Sequence, residues 1–547
     1  MGHSRAVRLI APLLAAVIAS AASASSAAAL SERGPAPNDP RWSDQWSLRA
    51  EPGIGIDLLE AWRYGKGKGV VIAVLDTGIV AHPEFGDRIL PGYDFVSNPE
   101  VANDGDGRDA DATDPGNWVT KEEAESGDFG DECESGDSDW HGTHVAGIAL
   151  ATAGNGEGIA GIAPRAMLLP VRVIGKCGGT TRDLVDGLRW AAGLEVAGVP
   201  LNRNPADVIN MSLGSDQPCR PDLQAAIDEV AALDIMMVAA VGNESFDASR
   251  SAPANCLGTA TVAALTRSGA LAAYSNFGSF TDLAAPGGDQ SALIVSSVDR
   301  GTRGSEGPGY AAYAGTSAAA PHLSAVLAIA RGYDPSTPSD ALYEVLFANL
   351  APFIASGAGF RCLVGLCGSG ALDAGRFLAA LEARPLPIVA TDLPARLTQG
   401  GSATGSITID GVAAEGASST TPLICSWDGS ALSGITRGSC AIQITQPGTA
   451  TRKALTAVLN FEIGGLTPTI SNSLPERMRR GTTARVAATS DSGGAITYAS
   501  RTPSICSVGQ KGKVTARALG TCKVRVRVAA TETHDARRIT LTTVVRR

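Results

Sequence analysis

Three polar side chains lie where the 547-residue sequence predicts the end of a strand or the start of a helix. Asp76 closes the apolar run VIAVLD, His141 opens HGTHVAGIAL, and Ser317 lies at the head of an Ala-rich helix in AGTSAAAPH. A serine hydroxyl becomes an effective nucleophile when an imidazole accepts its proton and a carboxylate orients that imidazole. The three residue types together therefore indicate acyl transfer through a serine nucleophile.

Each of these residues also has a simpler structural explanation. Asp76 could form a turn, His141 could be a satisfied helix-end residue, and Ser317 could cap its helix. Pro321 falls within the first turn of that helix, where a missing N–H costs little. Capping is the commonest role of a serine in such a position, so the chemical interpretation depends on all three residues occurring together.

The elements that must position these residues alternate between strands and helices. Buried strands are predicted in GVVIAVLDTGI, AMLLPVRVI, ADVINMSLGS, DIMMVAAVGN and ATVAAL, with helices in TRDLVDGLRWAAGLEVAG and PDLQAAIDEVAAL. This alternation predicts an α/β fold whose mostly parallel sheet is flanked by helices on both faces. In such sheets the functional residues lie just beyond the carboxyl ends of the strands.

Five motifs of this region resemble those of the subtilisin-like serine proteases, the subtilase or S8 family. They are VIAVLDTGI around Asp76, HGTHVAG around His141, NMSLGS around Ser212, VAAVGNE around Asn243 and AGTSAAAPH around Ser317. The chain order Asp, His, Ser is that of subtilisin. The resemblance covers residues 38–382 and implies a secreted serine endopeptidase that cleaves peptide bonds through an acyl-enzyme.

The resemblance also implies a role for each residue of the centre. Ser317 is the expected nucleophile, His141 the general base and then acid, and Asp76 the group that fixes the imidazole tautomer. Asn243 follows a strand and a glycine, where its simpler role is that of a turn residue. By resemblance it donates to the oxyanion together with the Ser317 backbone N–H, and one such donor lowers the barrier by about 3 kcal/mol.

Two groups of residues near this centre suggest how a peptide would bind. The first group resembles the family's strand that pairs with an extended peptide and comprises Ser212, Leu213 and Gly214. The second group predicts a roomy, uncharged primary pocket and comprises Ala240, Gly242 and Ala254. We therefore expect cleavage after large apolar or aromatic residues.

Two departures from the family pattern concern residues 30–37 and Ala318. Ala318 stands where the family commonly has Met, and we expect only a packing effect. Only residues 30–37 separate a predicted signal peptide from NDPRWSDQW, which resembles a mature start, so the sequence gives no basis for assuming activation by loss of a large N-terminal domain. His144 and His322 match motif positions outside the catalytic set, and we expect structural roles for them.

An acidic loop between the first two motifs predicts a metal site. Five carboxylates crowd the Gly-containing stretch NDGDGRDADATDPGNW, namely Asp104, Asp106, Asp109, Asp111 and Asp114. Crowded carboxylates repel one another unless a cation neutralises them, which favours a structural Ca²⁺ over the alternative of a solvated acidic loop. The spacing is not that of an EF-hand, and HGTH lacks the Glu of a zinc-binding H-E-x-x-H.

Residues 1–29 have the pattern of a secretory signal peptide, with two arginines, an apolar run and a tract of small residues. No later run is long enough to predict a membrane span. The ten cysteines agree with an oxidising compartment, and their order suggests five neighbouring pairs. We expect a secreted monomer, extracellular or periplasmic, that acts on proteins or peptides.

The C-terminal third contains two copies of one small module. Cys425 recurs as Cys506 after 81 residues, and Cys440 recurs as Cys522 after 82. After a linker over 383–395, the predicted boundaries are 396–464 and 465–547. Short strand-like pieces with a cysteine pair in each copy predict two β-sandwich modules that resemble bacterial immunoglobulin-like repeats.

The second module is basic, although the whole chain carries a net charge of −10. From Ser471 to the end, fifteen Lys and Arg stand against four Asp and Glu, giving +11. This charge indicates a polyanionic partner such as an anionic cell envelope, a matrix or a nucleic acid, and a solvated basic face is the commoner explanation of such a charge. The modules could instead assist folding in place of a propeptide.

Two other classes of protein are alternatives to a peptidase. A protease-like surface-binding protein without activity should lack a member of the catalytic set, yet all four residues are present. A nucleotide-binding α/β enzyme should carry a G-x-G-x-x-G turn between a strand and a helix, which the sequence does not show in that context. A serine endopeptidase is therefore the favoured interpretation.

Overall fold

The structure is a computed structural model that describes residues 34–50, 54–127, 129–130, 133–354, 362–383, 388–409, 412–414, 416–446, 455–531 and 533–547. The predicted signal peptide lies outside the described residues. The chain divides into two compact units, Met1–Arg384 and Pro385–Arg547.

The first unit is built on a seven-stranded, entirely parallel sheet of order β2-β3-β1-β4-β6-β8-β9. The strands of this unit are β1 (Val71–Asp76), β2 (Tyr93–Asp94), β3 (Met167–Arg172), β4 (Val208–Met211), β5 (Ser215–Asp216), β6 (Met236–Ala240), β7 (Ser251–Ala252), β8 (Ala260–Leu265), β9 (Leu283–Pro286), β10 (Ile294–Asp299) and β11 (Pro308–Tyr313).

The described helices of this unit are α1 (Leu58–Ala61), α2 (Pro99–Ala102), α3 (Lys121–Ser126), α4 (His141–Leu150), α5 (Thr181–Ala191), α6 (Pro221–Ala231), α7 (Thr316–Tyr333), α8 (Ser339–Ala348) and α9 (Ala374–Ala383). Short 3₁₀ turns occur at Trp42–Asp44, Trp46–Leu48 and Ala248–Arg250. No helix among these described residues is long and apolar enough to cross a membrane.

Each face of the sheet has its own hydrophobic core, which explains why its strands are apolar throughout. Ile72, Val238 and Val262 pack with α4 and α7 on one face, while Leu75 and Ile209 pack with α5 and α6 on the other. Helices therefore cover both faces, and the predicted α/β class is confirmed. The five strands predicted from sequence correspond to β1, β3, β4, β6 and β8.

An antiparallel hairpin, β10 with β11, packs against α4 and was not predicted. Ser296 Oγ donates to the carbonyl oxygen of His144 at 2.7 Å, and Ser297 Oγ donates to that of Thr143 at 3.1 Å. Gly147 makes this approach possible, because a Cβ there would overlap both serine hydroxyls. The hairpin thus supports the helix that begins at His141.

All five cysteine pairs suggested by sequence order are present as disulfides. They are Cys133–Cys177, Cys219–Cys256, Cys362–Cys367, Cys425–Cys440 and Cys506–Cys522. The first three lie in the first unit, and each β module contains one of the remaining two. Every cysteine of the chain is therefore paired.

The second unit contains two β modules. The first has β12 (Ile388–Thr391), β13 (Arg396–Thr398), β14 (Ser402–Thr404), β15 (Ser406–Ile409), β16 (Val412–Ala413), β17 (Gly416–Ser419), β18 (Cys425–Trp427), β19 (Ala431–Gly434), β20 (Gly438–Gln446) and β21 (Leu455–Gly464). The second has β22 (Ile470–Ser473), β23 (Arg477–Arg479), β24 (Thr483–Arg485), β25 (Ala487–Ser490), β26 (Ile496–Ser500), β27 (Cys506–Val508), β28 (Lys513–Ala516), β29 (Gly520–Val528) and β30 (Arg537–Arg546).

The first module has one four-stranded and two three-stranded sheets, and the second has a four-stranded, a three-stranded and a two-stranded sheet. Each module has one apolar core that contains its disulfide. The predicted linker over 383–395 needs a correction, because β12 within it pairs antiparallel with β15. The first module therefore begins before residue 396. Side chains of β12 alternate between partly buried and exposed, which is the pattern of a strand at the edge of a sandwich.

Candidate active site

Asp76 and His141 are joined by a hydrogen bond. Asp76 ends β1 and is fully buried, and its Oδ1 accepts from His141 Nδ1 at 2.7 Å and from Thr77 N at 2.8 Å. His141 begins α4 and keeps 25% of its side chain exposed. A carboxylate on Nδ1 fixes the proton there, so Nε2 is the nitrogen free to accept a proton.

The pKa of His141 results from two opposing effects. Burial lowers the pKa, but the negative charge and hydrogen bond of Asp76 outweigh burial and raise the pKa to about 9. The imidazole can act as a base only when it is neutral. Any reaction that needs this base should therefore become faster as the pH rises through the His141 pKa.

The backbone beside Asp76 allows α4 to approach β1 closely. Thr77 Oγ1 accepts from Gly142 N at 3.0 Å and donates to Asp114 Oδ2 at 2.7 Å. A Cβ on Gly142 would overlap the carbonyl oxygen of Gly78. The glycine of HGTHVAG is therefore needed for the close approach of helix and strand.

Ser317 is the second residue of α7 and does not cap it. Gly315 occupies the N-cap position, so the N-cap residue has no side chain to accept from the first N–H groups of this helix. Ser317 is partly exposed, whereas Thr316 and Ala318 on either side are buried. The capping explanation is therefore wrong, and the hydroxyl lies at the positive end of an 18-residue helix.

Asn243 lies beside Ser317 and is held by Thr316. Asn243 Oδ1 accepts from Thr316 N at 2.8 Å and from Thr316 Oγ1 at 3.0 Å. A Cβ built on Gly315 would lie 3.2 Å from Ser317 Oγ and 3.7 Å from Asn243 Nδ2, so both groups border the same small space. With its oxygen engaged, Asn243 has its two amide N–H groups left to donate.

A buried polar network that the sequence did not reveal also fixes this helix start. Ser212 Oγ donates to the carbonyl oxygen of Ser317 at 2.9 Å and accepts from Asn210 Nδ2 at 2.9 Å. Ser324, two turns along α7, donates to Asn210 Oδ1 at 2.8 Å. Asn210 lies inside β4 and is fully buried, and a polar residue within an apolar strand is the signal that could have identified it.

Two cavities border His141. One, of about 390 Å³, is also lined by Leu213 and Gly214. The other, of about 500 Å³, is lined by Gly315 and Ser317. His141 and Ser317 thus share a cavity, although their side chains are not hydrogen-bonded to each other in the described residues, and such contacts commonly tighten only when substrate binds.

Of the six residues expected to bind substrate, the structure brings two to the cavities at His141. Leu213 and Gly214 line the smaller cavity. Ser212 is buried, and its side chain points to α7 rather than to a cavity. Neither cavity is lined by the three residues predicted to form the primary pocket, which are Ala240, Gly242 and Ala254.

The two other histidines expected to be structural are fully enclosed. His144 stacks on Tyr313, its Nε2 lies 3.2 Å from the carbonyl oxygen of Ile294, and burial lowers its pKa to about 3. His322 Nδ1 lies 2.8 Å from the carbonyl oxygen of Ala318, and burial lowers its pKa to about 4. Both rings are neutral at physiological pH and hydrogen-bond to backbone carbonyls.

The structure does not gather the acidic loop into a metal site. Asp104 Oδ2 accepts from Arg172 Nη1 at 2.6 Å, and this buried guanidinium also contacts Asp94. Asp114 is buried against Thr77, and burial raises its pKa to about 6. Arg172 therefore supplies part of the positive charge that the crowded carboxylates of this loop require.

The remaining carboxylates of this loop are used locally. Asp109 Oδ1 accepts from Asp111 N, and Asp111 Oδ1 accepts from Thr113 N, while Asp106 is exposed. No three acidic, histidine or cysteine side chains converge on one point within the described residues. As arranged, the five aspartates do not fit one shared Ca²⁺, and calcium enters no step below.

The part of the chain that contains this site is similar to known proteins. Residues 67–356, more than half of the sequence, match the profile of the Subtilase family. The chain is 42% identical over 334 residues to an extracellular protease of Xanthomonas campestris, covering 61% of this chain and 54% of that protein. It is 41% identical over 366 residues to an extracellular basic protease of Dichelobacter nodosus, covering 65% and 58%.

A solved structure of a protease from Pseudoalteromonas arctica aligns with a TM-score of 0.59 and 43% identity. The alignment covers 63% of this chain and the whole of that one. The chain spans little more than half the length of the two curated relatives it matches. The likeness therefore concerns the peptidase-like region.

Asp76→Asn should lower the pKa of His141. Without the negative charge, burial is the larger effect, so the pKa should fall below its ordinary value of about 6.5. A ¹⁵N NMR titration of the imidazole nitrogens measures it directly. Asp207→Asn is the matched control, because Asp207 accepts from Val71 N at the opposite end of β1. An unchanged His141 pKa in Asp76→Asn would contradict the assignment of the raised pKa to this pair.

Proposed function

Because the chain belongs to the subtilase family, we propose that it is a secreted serine endopeptidase that acts through Ser317, His141 and Asp76. The observation that carries the proposal is the 2.7 Å hydrogen bond from His141 Nδ1 to Asp76. The same histidine lines a cavity that Ser317 also lines. A nucleophile, a base and a group that orients the base are the requirements for acyl transfer by serine.

In the first half of the reaction, Ser317 Oγ attacks the carbonyl carbon of the scissile peptide bond. Its proton passes to His141 Nε2, and Asp76 stabilises the imidazolium that forms. The negative charge on the former carbonyl oxygen is stabilised by Asn243 Nδ2 and by the backbone N–H of Ser317. The C–N bond then breaks, and His141 donates its proton to the leaving amine.

In the second half, water attacks the acyl-enzyme. His141, neutral again, accepts a proton from the water as its oxygen bonds to the acyl carbon. The tetrahedral species is held by the same two donors, Asn243 and the Ser317 N–H. It then collapses with breakage of the bond to Ser317 Oγ, which regains its proton from His141 and releases the carboxylic acid.

Secretion is part of the proposal. It is supported by the signal-peptide pattern of residues 1–29, by five disulfides and by the names of the two relatives, both called extracellular. Disulfides persist in oxidising compartments and are rare in the cytosol. Processing of the secreted chain after residue 29 would give direct support.

Labelling with a serine-directed fluorophosphonate tests the nucleophile. The wild-type chain should be modified at Ser317 and should hydrolyse a casein substrate, whereas Ser317→Ala should do neither while keeping its melting temperature. Ser336→Ala is the matched control, because Ser336 is an exposed serine just beyond the end of α7. Equal labelling of Ser317→Ala would overturn the assignment. A folded wild-type chain that is neither labelled nor active would favour the inactive surface-binding alternative.

The proposed preference is for large apolar residues before the scissile bond. The smaller cavity at His141 supports it, since Leu184, Leu213 and Leu223 contribute apolar surface there. Burying one apolar side chain of the substrate contributes about 1–3 kcal/mol.

Peptides that vary only in the residue before the cleaved bond test this preference. The value of kcat/KM for Phe or Leu should exceed that for Lys by at least about tenfold. Ser317→Ala serves as the blank for background hydrolysis. A higher kcat/KM for Lys or Arg would refute the preference without affecting the proposed chemistry.

A further inference from the structure

The second β module presents a row of cations on one face. Along β29 the side chains of Val524 and Val526 are buried, and those of Lys523 and Arg527 are exposed. The outer face of the sheet β23-β30-β29-β26 carries seven cations, which we call the cationic face: Arg477, Arg479, Lys523, Arg525, Arg527, Arg538 and Arg546. Neighbouring strands lie about 4.8 Å apart and alternate residues about 7 Å apart, so these charges are closely spaced.

The strands of the cationic face carry no negative charge of their own. The four strands contain no Asp or Glu, and none of the seven cations takes part in an ion pair within the described residues. Two direct cross-strand pairs even join like charges, Arg527 with Arg538 and Arg479 with Arg546. Like charges placed directly opposite each other destabilise a sheet, so the arrangement lowers the stability of the free module.

The fold itself does not require these cations, because the first module has the same fold without them. Its corresponding sheet is β13-β21-β20-β17. The first module has Ala441, Gln443 and Thr445 at the positions 82 residues before Lys523, Arg525 and Arg527. The positions that match the remaining four are occupied by Arg396, Thr398, Thr456 and Gly464. Of these only Arg396 is charged, and it is paired with Asp535.

The other side chains of the cationic face indicate which kind of polyanion it suits. They bear hydroxyl groups or are aliphatic: Thr497, Ala499, Thr521, Thr540, Thr542 and Val544. No aromatic side chain lies among them, since Tyr498 packs into the module's core. Proteins that bind single-stranded nucleic acid rely on aromatic rings that stack with bases, and this face offers none. Threonine hydroxyls between cations instead suit a ligand rich in both hydroxyl groups and anions.

We propose that the cationic face binds a linear acidic polysaccharide, with its carboxylate or sulfate groups on the Arg and Lys side chains and its sugar hydroxyls on the threonines. This site lies in the second unit and does not depend on the peptidase proposal. It would hold the enzyme on an anionic matrix or envelope. Because exposed charges are screened by salt, retention should weaken steeply as ionic strength rises.

The test compares two triple variants of the full chain, each of which lacks three positive charges. The charges are removed from one side of the module in the first variant and from the opposite side in the second. The face variant is Lys523→Gln, Arg525→Gln and Arg527→Gln. The control variant is Arg485→Gln, Lys511→Gln and Lys513→Gln, whose residues are exposed on or beside the other sheet, β24-β28-β27. All chains carry Ser317→Ala to prevent self-cleavage, and unchanged melting temperatures show that they are folded.

Binding is measured to immobilised polygalacturonate, dextran sulfate and double-stranded DNA over a series of NaCl concentrations. The face variant should bind at least one polysaccharide at least tenfold more weakly at 100 mM NaCl, while the control should change by less than about twofold. The logarithm of the association constant should decrease less steeply with the logarithm of the salt concentration in the face variant. The slope should be smaller in magnitude by about 2, because three lost contacts contribute about 0.7 each. The two polysaccharides distinguish a carboxylate from a sulfate ligand.

Three results would overturn the proposal. Equal losses in the face and control variants would show that net charge alone acts. Tighter binding to DNA than to either polysaccharide would assign the face to nucleic acid. Absence of polysaccharide binding by the parent chain would remove the site altogether. If the face variant fails to fold, Arg477→Gln with Arg479→Gln at the edge strand β23 is the second test, with a loss of at least about threefold expected.

Discussion

The first turn of α7 is anchored to the ends of two neighbouring strands, and the position of Ser317 depends on this anchoring. Asn243, after β6, accepts from the backbone and hydroxyl of Thr316, while Ser212, after β4, donates to the carbonyl of Ser317. The first backbone N–H groups of a helix have no partner within it. Asn243 satisfies that of Thr316, and the N–H of Ser317 stays available to a developing negative charge.

The parallel sheet explains why these contacts meet at one place. Strands β1, β4 and β6 are neighbours and run in the same direction. Asp76 at the end of β1, Ser212 after β4 and Asn243 after β6 therefore all lie on the carboxyl side of the sheet. His141 reaches that edge because α4 packs closely against β1 on one side and against the β10–β11 hairpin on the other. A buried Asp76 is tolerable because His141 and Thr77 hydrogen-bond to it.

Sequence patterns were sufficient for five of the seven strands of the sheet, because runs of apolar residues are local signals. Contacts between residues that are distant in sequence could not be predicted from such local patterns. Asn210 and Ser324 are 114 positions apart and meet only because α7 crosses beneath β4. The contact of Arg172 with Asp104 was inaccessible for the same reason, because Arg172 lies in an apolar strand and nothing near it in sequence shows that it reaches the acidic loop.

The central claim is that Asn243 holds α7 with its oxygen and stabilises the oxyanion with its nitrogen. Asn243→Asp separates the two roles, because the variant keeps an acceptor for Thr316 but has no amide to donate. Steady-state hydrolysis of a peptide should show kcat reduced by about 10²–10³ with KM and melting temperature nearly unchanged. A kcat within about threefold of the wild-type value would contradict the account.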